Sequence, residues 1–236
     1  MALIQDKEGR AAALPKALAV PSRSCVDLGQ AGAQGRMRTC RFQPAMSMHP
    51  TIRILRSEHA ALVTVLRGLT SVLAKSRQRD QLPDFRLLRA MLFYIAEFPE
   101  RHHHPKESGL LFPRLRARTP LARSLLDRLD EDHARGEARI RELEHGLIGF
   151  EMLGECRRDV FESGLARYVD FHLVHMSLEE REIFPLATRV LHERDWDELD
   201  VEFAASCDPL TGCEPETAYV ELFARIREGL ASSDAT

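Results

Sequence analysis

The sequence predicts an all-α fold: an up-down antiparallel four-helix bundle with a short C-terminal helical extension and a disordered N-terminal prefix. Three observations carry that expectation. Four long stretches place apolar residues in steps of three and four, the spacing of one helix face. Strand-like alternation is nearly absent. A histidine–glutamate motif occurs twice, at matched places in two similar halves, so the chain reads as a duplicated pair of helices.

Residues 1–47 stand apart. They hold seven basic residues against three acids and show no sustained apolar period. They lack the apolar core of a signal peptide. A transit peptide is the weaker alternative to a start assigned too far upstream, since Met46 and Met48 immediately precede the first patterned segment. With little apolar surface to offset the entropy of ordering, disorder is expected there.

The first helix carries Ile52, Leu55, His59, Leu62, Leu66, Leu69 and Leu73, with a histidine inside its seam. A second is expected to start at Pro83, a good first-turn residue, and carries "DFRLLRAMLFYIAEFPERHHHPKE". The third follows Thr119-Pro120 and runs through Leu126, Leu129, His133, Gly136, Ile140, Leu143 and Leu147. The fourth spaces Phe161, Leu165, Tyr168, His172, His175 and Glu179 in the same way. Together these give a bundle over 48–190. An extension over 191–236 holds a short segment near "DWDELDVEFAA" and a last helix at about 216–230.

Composition narrows the function classes. The chain has 236 residues, 44% hydrophobic and 29% charged, as in an ordinary globular protein. A net charge of −3 gives no basic surface for nucleic acid. The longest apolar runs fall far short of the roughly 20 residues of a membrane span. The five cysteines are odd in number, scattered and without C-x-x-C, which predicts a cytoplasmic, reducing setting and no disulfide framework. Cys207 and Cys213, in "CDPLTGC", are given no functional role.

The repeated motif is H-x-x-x-E-x-x-x-[LI]-F-P. It reads His103, Glu107, Leu111, Phe112, Pro113, and again, 72 residues on, His175, Glu179, Ile183, Phe184, Pro185. Residues four apart on a helix are neighbours, Cβ atoms roughly 6 Å apart, and such a pair can offer one cation a nitrogen and an oxygen. For a single instance a surface pair is the commoner explanation. Repetition weighs against it, as does a second echo, "LRSEHA" around His59 and "LDEDHA" around His133. Polar groups in a bundle seam are costly unless satisfied. Four histidines and two carboxylates at one depth are hard to satisfy without a cation. Such donors suit Fe, Zn or Mn rather than Ca or Mg, and two glutamates able to bridge favour two ions. Ferritin-like bundles use the opposite order, Glu-x-x-His, with more carboxylates.

The pieces "SEHAAL", "FPERHHHPKESGLLFPRL", "DEDHARGE" and "HMSLEEREIFPLA" resemble the hemerythrin-like family of HHE cation-binding domains, and "DWDELDVEFAASCDPLTG" is similar to the tail of bacterial members. The resemblance covers about residues 50–230. It implies two non-haem iron ions, oxo- or hydroxo-bridged, that engage O₂, peroxide or nitric oxide. Carried over by motif, His59 and His103 hold one iron, His133 and His175 the other, and Glu107 and Glu179 bridge them. The family's oxygen carriers have a fifth histidine four residues after the third-helix histidine. Here that place is Glu137, against Val63 in the first half, so Glu137 is expected to be an extra ligand on one iron. The alternative is an ion pair with Arg141, its i+4 neighbour.

Other residues near the motif are weighed as follows. His172 and Glu100, each three residues before a motif histidine, are expected to hydrogen-bond to ligands rather than ligate. His102 and His104 are expected at the surface. Pro105 frees the carbonyl of Arg101 and can kink the helix. Tyr168 packs in the core or donates to a bound oxygen species, and Gly136 opens a small pocket beside one iron. The leading function is a di-iron protein that binds or reduces a small oxidant, or senses iron or redox state. One alternative is iron storage, or donation to damaged iron–sulfur clusters, although Cys25 and Cys40 are not the paired cysteines expected of repair members. Another is a helical interaction module stapled by metal. No protein partner is specified.

Overall fold

The computed structural model describes residues 48–205 and 208–234, and the expectation for 1–47 lies outside them. Helix α1 (Pro50–Gln78) opens with proline in its first turn, where no N–H partner is needed, and closes with Lys75 and Arg77 near the negative end of its dipole. Helix α2 (Phe85–Ile95) starts two residues later than expected. The Asp84 carboxylate caps it, accepting from the N–H of Arg86 at 2.9 Å and of Leu87 at 3.1 Å.

From Phe85 to Arg118 the chain stays helical but not uniform. After α2 comes a π-helical stretch (Ala96–His103), then α3 (His104–Lys106), a second π-stretch (Glu107–Leu111) and α4 (Phe112–Arg118). Helix α5 (Arg123–Leu153) is unbroken. Helix α6 (Arg158–Leu178) runs through a third π-stretch (Glu179–Ile183) into α7 (Phe184–Val190). The prolines account for these wide turns. A proline has no N–H for the carbonyl four residues back, and its ring crowds that carbonyl. Pro99, Pro105, Pro113 and Pro185 lie in or beside the three stretches, and the hydrogen bonds shift to the fifth residue back. The N–H of His104 bonds to Pro99, that of Phe112 to Glu107 and that of Phe184 to Glu179. Each L/I-F-P ending of the repeated motif therefore encodes a wide turn beginning at its glutamate.

The core forms two apolar blocks. One gathers Leu62, Leu66, Leu69, Leu88, Met91, Ile140, Leu147, Phe161 and Leu165, and the other Ile52, Leu55, Leu111, Phe112, Leu126, Leu129, Ile183 and Phe184. Each of the four helical stretches contributes to both blocks. The sequence positions between those contributions are His59, His103 to Glu107, His133, and His175 to Glu179, so the motif residues form a polar layer between apolar blocks. Truncating a buried leucine here should cost about 2–5 kcal/mol.

The C-terminal segment packs on these helices. Helix α8 (Glu193–Ala204) accepts from the Thr51 N–H and hydroxyl at Asp200, at 2.9 and 2.6 Å, and its Trp196 stacks on His49 at 4.1 Å. Helix α9 (Val220–Asp234) buries Phe223 and Ile226 in the first block. Between them the Tyr94 hydroxyl donates to the Asp208 carboxylate. Contrary to the expectation of no disulfide, Cys213 is disulfide-bonded, while Cys156 is free and exposed. The stretch before Cys213 holds a 3₁₀ turn (Pro209–Thr211) and Gly212 at φ 108°, a left-handed residue that reverses the chain. No helix among the described residues is long and apolar enough to cross a membrane.

Candidate metal centre

The polar layer brings together His59 from α1, His103 and Glu107 from the second stretch, His133 from α5, and His175 and Glu179 from the fourth. Glu107 and Glu179 are fully buried, and none of their four oxygens has a hydrogen-bond partner. Around them stand imidazole Nε2 atoms at close range. His59 lies 3.3 Å from Glu179 Oε2, and His175 lies 3.3 Å from Glu179 Oε1. His103 lies 3.3 Å and His133 3.6 Å from Glu107 Oε2. His133 is also 3.8 Å from Glu179 Oε1. The two oxygens of Glu179 thus face different histidines, His59 on one side and His133 and His175 on the other. One set of donors within cation-binding reach is His59, His103 and Glu107, and another is Glu107, His133, His175 and Glu179. Buried carboxylate oxygens without donors, ringed by imidazole nitrogens, fit a cation, since burying them unpaired costs several kcal/mol.

The far nitrogen of three of these four imidazoles has an oxygen partner, which sets the tautomer that turns Nε2 inward. Nδ1 of His103 lies 2.7 Å from Glu58 Oε2, and Nδ1 of His59 lies 3.0 Å from Glu180 Oε1. Nδ1 of His133 lies 2.8 Å from the Ser108 hydroxyl, which donates to Asp130 at 2.6 Å. Nδ1 of His175 has no hydrogen-bond partner, and its nearest acid oxygen, Asp132 Oδ2, is 3.7 Å away. The duplication extends to these partners. The acid before each lone histidine (Glu58, Asp132) serves the motif histidine of its own half. The residue after each buried glutamate (Ser108, Glu180) serves the lone histidine of the other half. The acid–His–Ala echo is visible in the sequence, but this role of the acid is not.

The charge balance follows the geometry. Burial alone would depress every imidazole. The Glu179 and Glu180 carboxylates overcome it at His59, Glu107 and Glu58 hold His103 well above its ordinary value, and Glu179, Glu107 and Asp132 raise His175. His133 is the exception: burial, with His104 and His175 beside it, pushes it down. Glu179 is held well below the usual carboxylate range, against burial, by His175 and His59.

Two expectations are corrected. Glu137 is not in the layer. It is exposed and pairs with Arg141 on the outer face of α5. The reason is the stepping of the seam: α5 is an uninterrupted α-helix and turns inward at His133, Gly136 and Ile140, which leaves position 137 off that face. His104 is not at the surface. It is 4% exposed, its ring stacks on that of His133 at 4.3 Å, and one of its nitrogens lies within cation-binding reach of His133 and His175. It falls where a π-stretch ends. A turn closed on the fifth residue back rotates less per residue than an α-turn, so His103 and His104 both face inward, toward opposite halves of the layer. The signal in the sequence is the triple histidine between Pro99 and Pro105. His102 stays exposed, as expected.

Glu100, Tyr168 and His172 lie behind His104. Glu100 Oε2 is 3.0 Å from His104 Nδ1, and Glu100 Oε1 accepts from the Tyr168 hydroxyl at 2.9 Å. His172 Nε2 is 3.6 Å from Glu100 Oε1 and is lowered to about 4, burial outweighing Glu100. On the opposite side, a cavity of about 600 Å³ reaches the rings of His59 and His103. Leu62, Phe98 and Lys106 line it, and Pro209 and Tyr219 of the C-terminal segment close its far wall.

No curated protein matches the chain. The sequence profile of the hemerythrin HHE cation binding domain matches residues 50–187, which contain the four histidines and two glutamates of the layer and all three π-stretches. The buried histidines and glutamates of the layer could hold a metal ion, and the chain belongs to the hemerythrin HHE cation-binding domain family.

Proposed function

We propose that this layer holds two iron ions and that the protein engages O₂, peroxide or nitric oxide there. His59 and His103 would hold one ion, His133 and His175 the other, with Glu107 and Glu179 shared. The observation that carries this is the pair of buried carboxylates whose four oxygens lack hydrogen bonds while His59 and His175 approach Glu179 from opposite oxygens and His103 and His133 approach Glu107. One ion would leave some of those groups unsatisfied. In this reading the four stretches run alternately up and down through the layer, the bundle spans 48–190, and the extension over 191–236 closes one flank.

Bound as a pair, the irons would supply coupled one-electron steps. The rest of the work belongs to the chain. Glu58, Glu180 and Ser108 hold the tautomers of His103, His59 and His133, so those Nε2 atoms stay available. The apolar blocks above and below exclude bulk water, which strengthens every charge interaction inside. The cavity at His59 and His103 offers a way in for a small molecule on that side. Its volume leaves room for more than a diatomic, and Lys106, whose Nζ is 3.2 Å from Glu58 Oε1, stands in its wall beside the partner of His103.

The test is iron content with Mössbauer and absorption spectra of purified protein, before and after O₂, peroxide and nitric oxide. Two irons per chain, with spectra altered by at least one of the three, are expected. One metal per chain, or zinc alone, would refute the two-iron reading.

A further inference from the structure

Gly136 lies on the inward seam of α5 between His133 and Ile140. A Cβ added there would sit 2.2 Å from Glu100 Oε2 and 2.8 Å from its Cδ. The missing side chain is what admits the Glu100 carboxylate against α5. Once seated, that carboxylate has two fixed partners, the Tyr168 hydroxyl on one oxygen and His104 Nδ1 on the other. Accepting the Nδ1 proton leaves the His104 Nε2 lone pair free. The other half of the molecule has no such cradle, because the position matching Gly136 is Leu62, a core residue.

We propose that His104 is a third imidazole for the ion held by His133 and His175, and that Gly136, Glu100 and Tyr168 are the positioning residues that aim it. This rests on the two-ion reading above. It makes the pair unequal, with three imidazoles on one side and two on the side facing the cavity. The asymmetry expected from Glu137 on α5 thus comes from the neighbouring helix, through its wide turn. Gly136 matters because any side chain there would displace the Glu100 carboxylate, to which the three nearest atoms belong, and leave His104 Nδ1 without its acceptor.

The experiment is anaerobic Co(II) titration of the metal-free full-length protein, followed by calorimetry and by the visible Co(II) bands, which report coordination. Wild type is expected to take up two ions. His104→Ala should weaken one of them by roughly 10- to 100-fold and shift the bands of that ion alone, and Gly136→Ala should do the same. The double variant should be no weaker than His104→Ala by itself, because both changes remove one interaction. Glu100→Gln keeps the shape and covers the case in which Gly136→Ala fails to fold. It should weaken the same ion. Effects of Gly136→Ala and His104→Ala that simply add, or Gly136→Ala and Glu100→Gln that both leave Co(II) affinity and bands unchanged, would overturn the cradle. Two unaltered ions in His104→Ala would overturn the ligand assignment. Uptake of a single ion by wild type would instead sink the two-ion reading beneath it.

Discussion

Removing the metal should cost the fold a large part of its stability, and the structure gives the scale. Five atoms facing the centre are buried without a hydrogen-bond partner: His59 Nε2, both oxygens of Glu107 and both of Glu179. An unsatisfied buried polar group costs about 1–3 kcal/mol. The five together are therefore worth roughly 5–15 kcal/mol, comparable with the whole stability of a typical domain. Water entering the emptied layer and the neighbouring imidazole charges would recover part of this, so the lower end is the fair expectation. At about 2–4 °C per kcal/mol for a chain of this size, Tm should fall by at least about 10 °C. The assay is calorimetric melting of the metal-loaded protein and of the same sample after chelation and dialysis, with elemental analysis of both. A companion variant, Glu107→Leu, should bind less metal yet melt above chelated wild type, because an apolar side chain replaces an unpaired buried carboxylate. A chelated wild type, verified metal-free, that melts within about 3 °C of the loaded protein would refute the reasoning.

Three further outcomes follow from particular contacts. Glu137→Gln should leave metal content and spectra unchanged and alter stability by less than about 0.5 kcal/mol, since it removes only an exposed i,i+4 pair with Arg141, and urea denaturation checks this. Asp84→Ala should destabilise by about 1 kcal/mol through loss of the α2 cap, with iron content retained. Arg118 holds the Asp195 carboxyl at about 2, below its ordinary 3.8. A carboxyl lowered by folding stabilises above its ordinary value and loses that contribution as pH falls through the lowered one. The stability difference between wild type and Asp195→Asn should thus be present at pH 5 and shrink as pH falls from about 4 towards 2, as read by denaturant titration at each pH.

Much of this site is legible in the sequence because its signal is periodic. The seams through His59, His133 and His175 step by three and four, and the twofold motif sets His103 and Glu107 against His175 and Glu179. What escapes is set by departures from ideal periodicity. Glu137 looks like a ligand because it lies four residues after His133, but a helix seam uses steps of three as well, and here Gly136 takes the inward place. His104 looks exposed because one residue of α-helix should swing it away from His103. The wide turn between Pro99 and Pro105 narrows that swing, and single-residue reasoning with a fixed turn angle cannot see it. The acids Glu58, Asp132 and Glu180 are adjacent in sequence to ligand-set residues, yet what they orient is a histidine on another helix. No local pattern announces such a partnership. Only the repeat of acid–His–Ala in both halves hints at it.

The wide turn ahead of His104 also bears on how such a centre could change over generations. A π-stretch holds one residue more than the α-turn it replaces. Deleting a single codon between Ala96 and His103 could restore an ordinary α-turn with little movement of the helix on either side. The run His102-His103-His104 means that after such a deletion a histidine would still fall where His59 is faced, while the place that faces His133 would pass to another residue. One insertion or deletion, rather than a set of coordinated substitutions, would then separate a centre with equal halves from one with unequal halves. The three consecutive histidines make that step survivable in both directions.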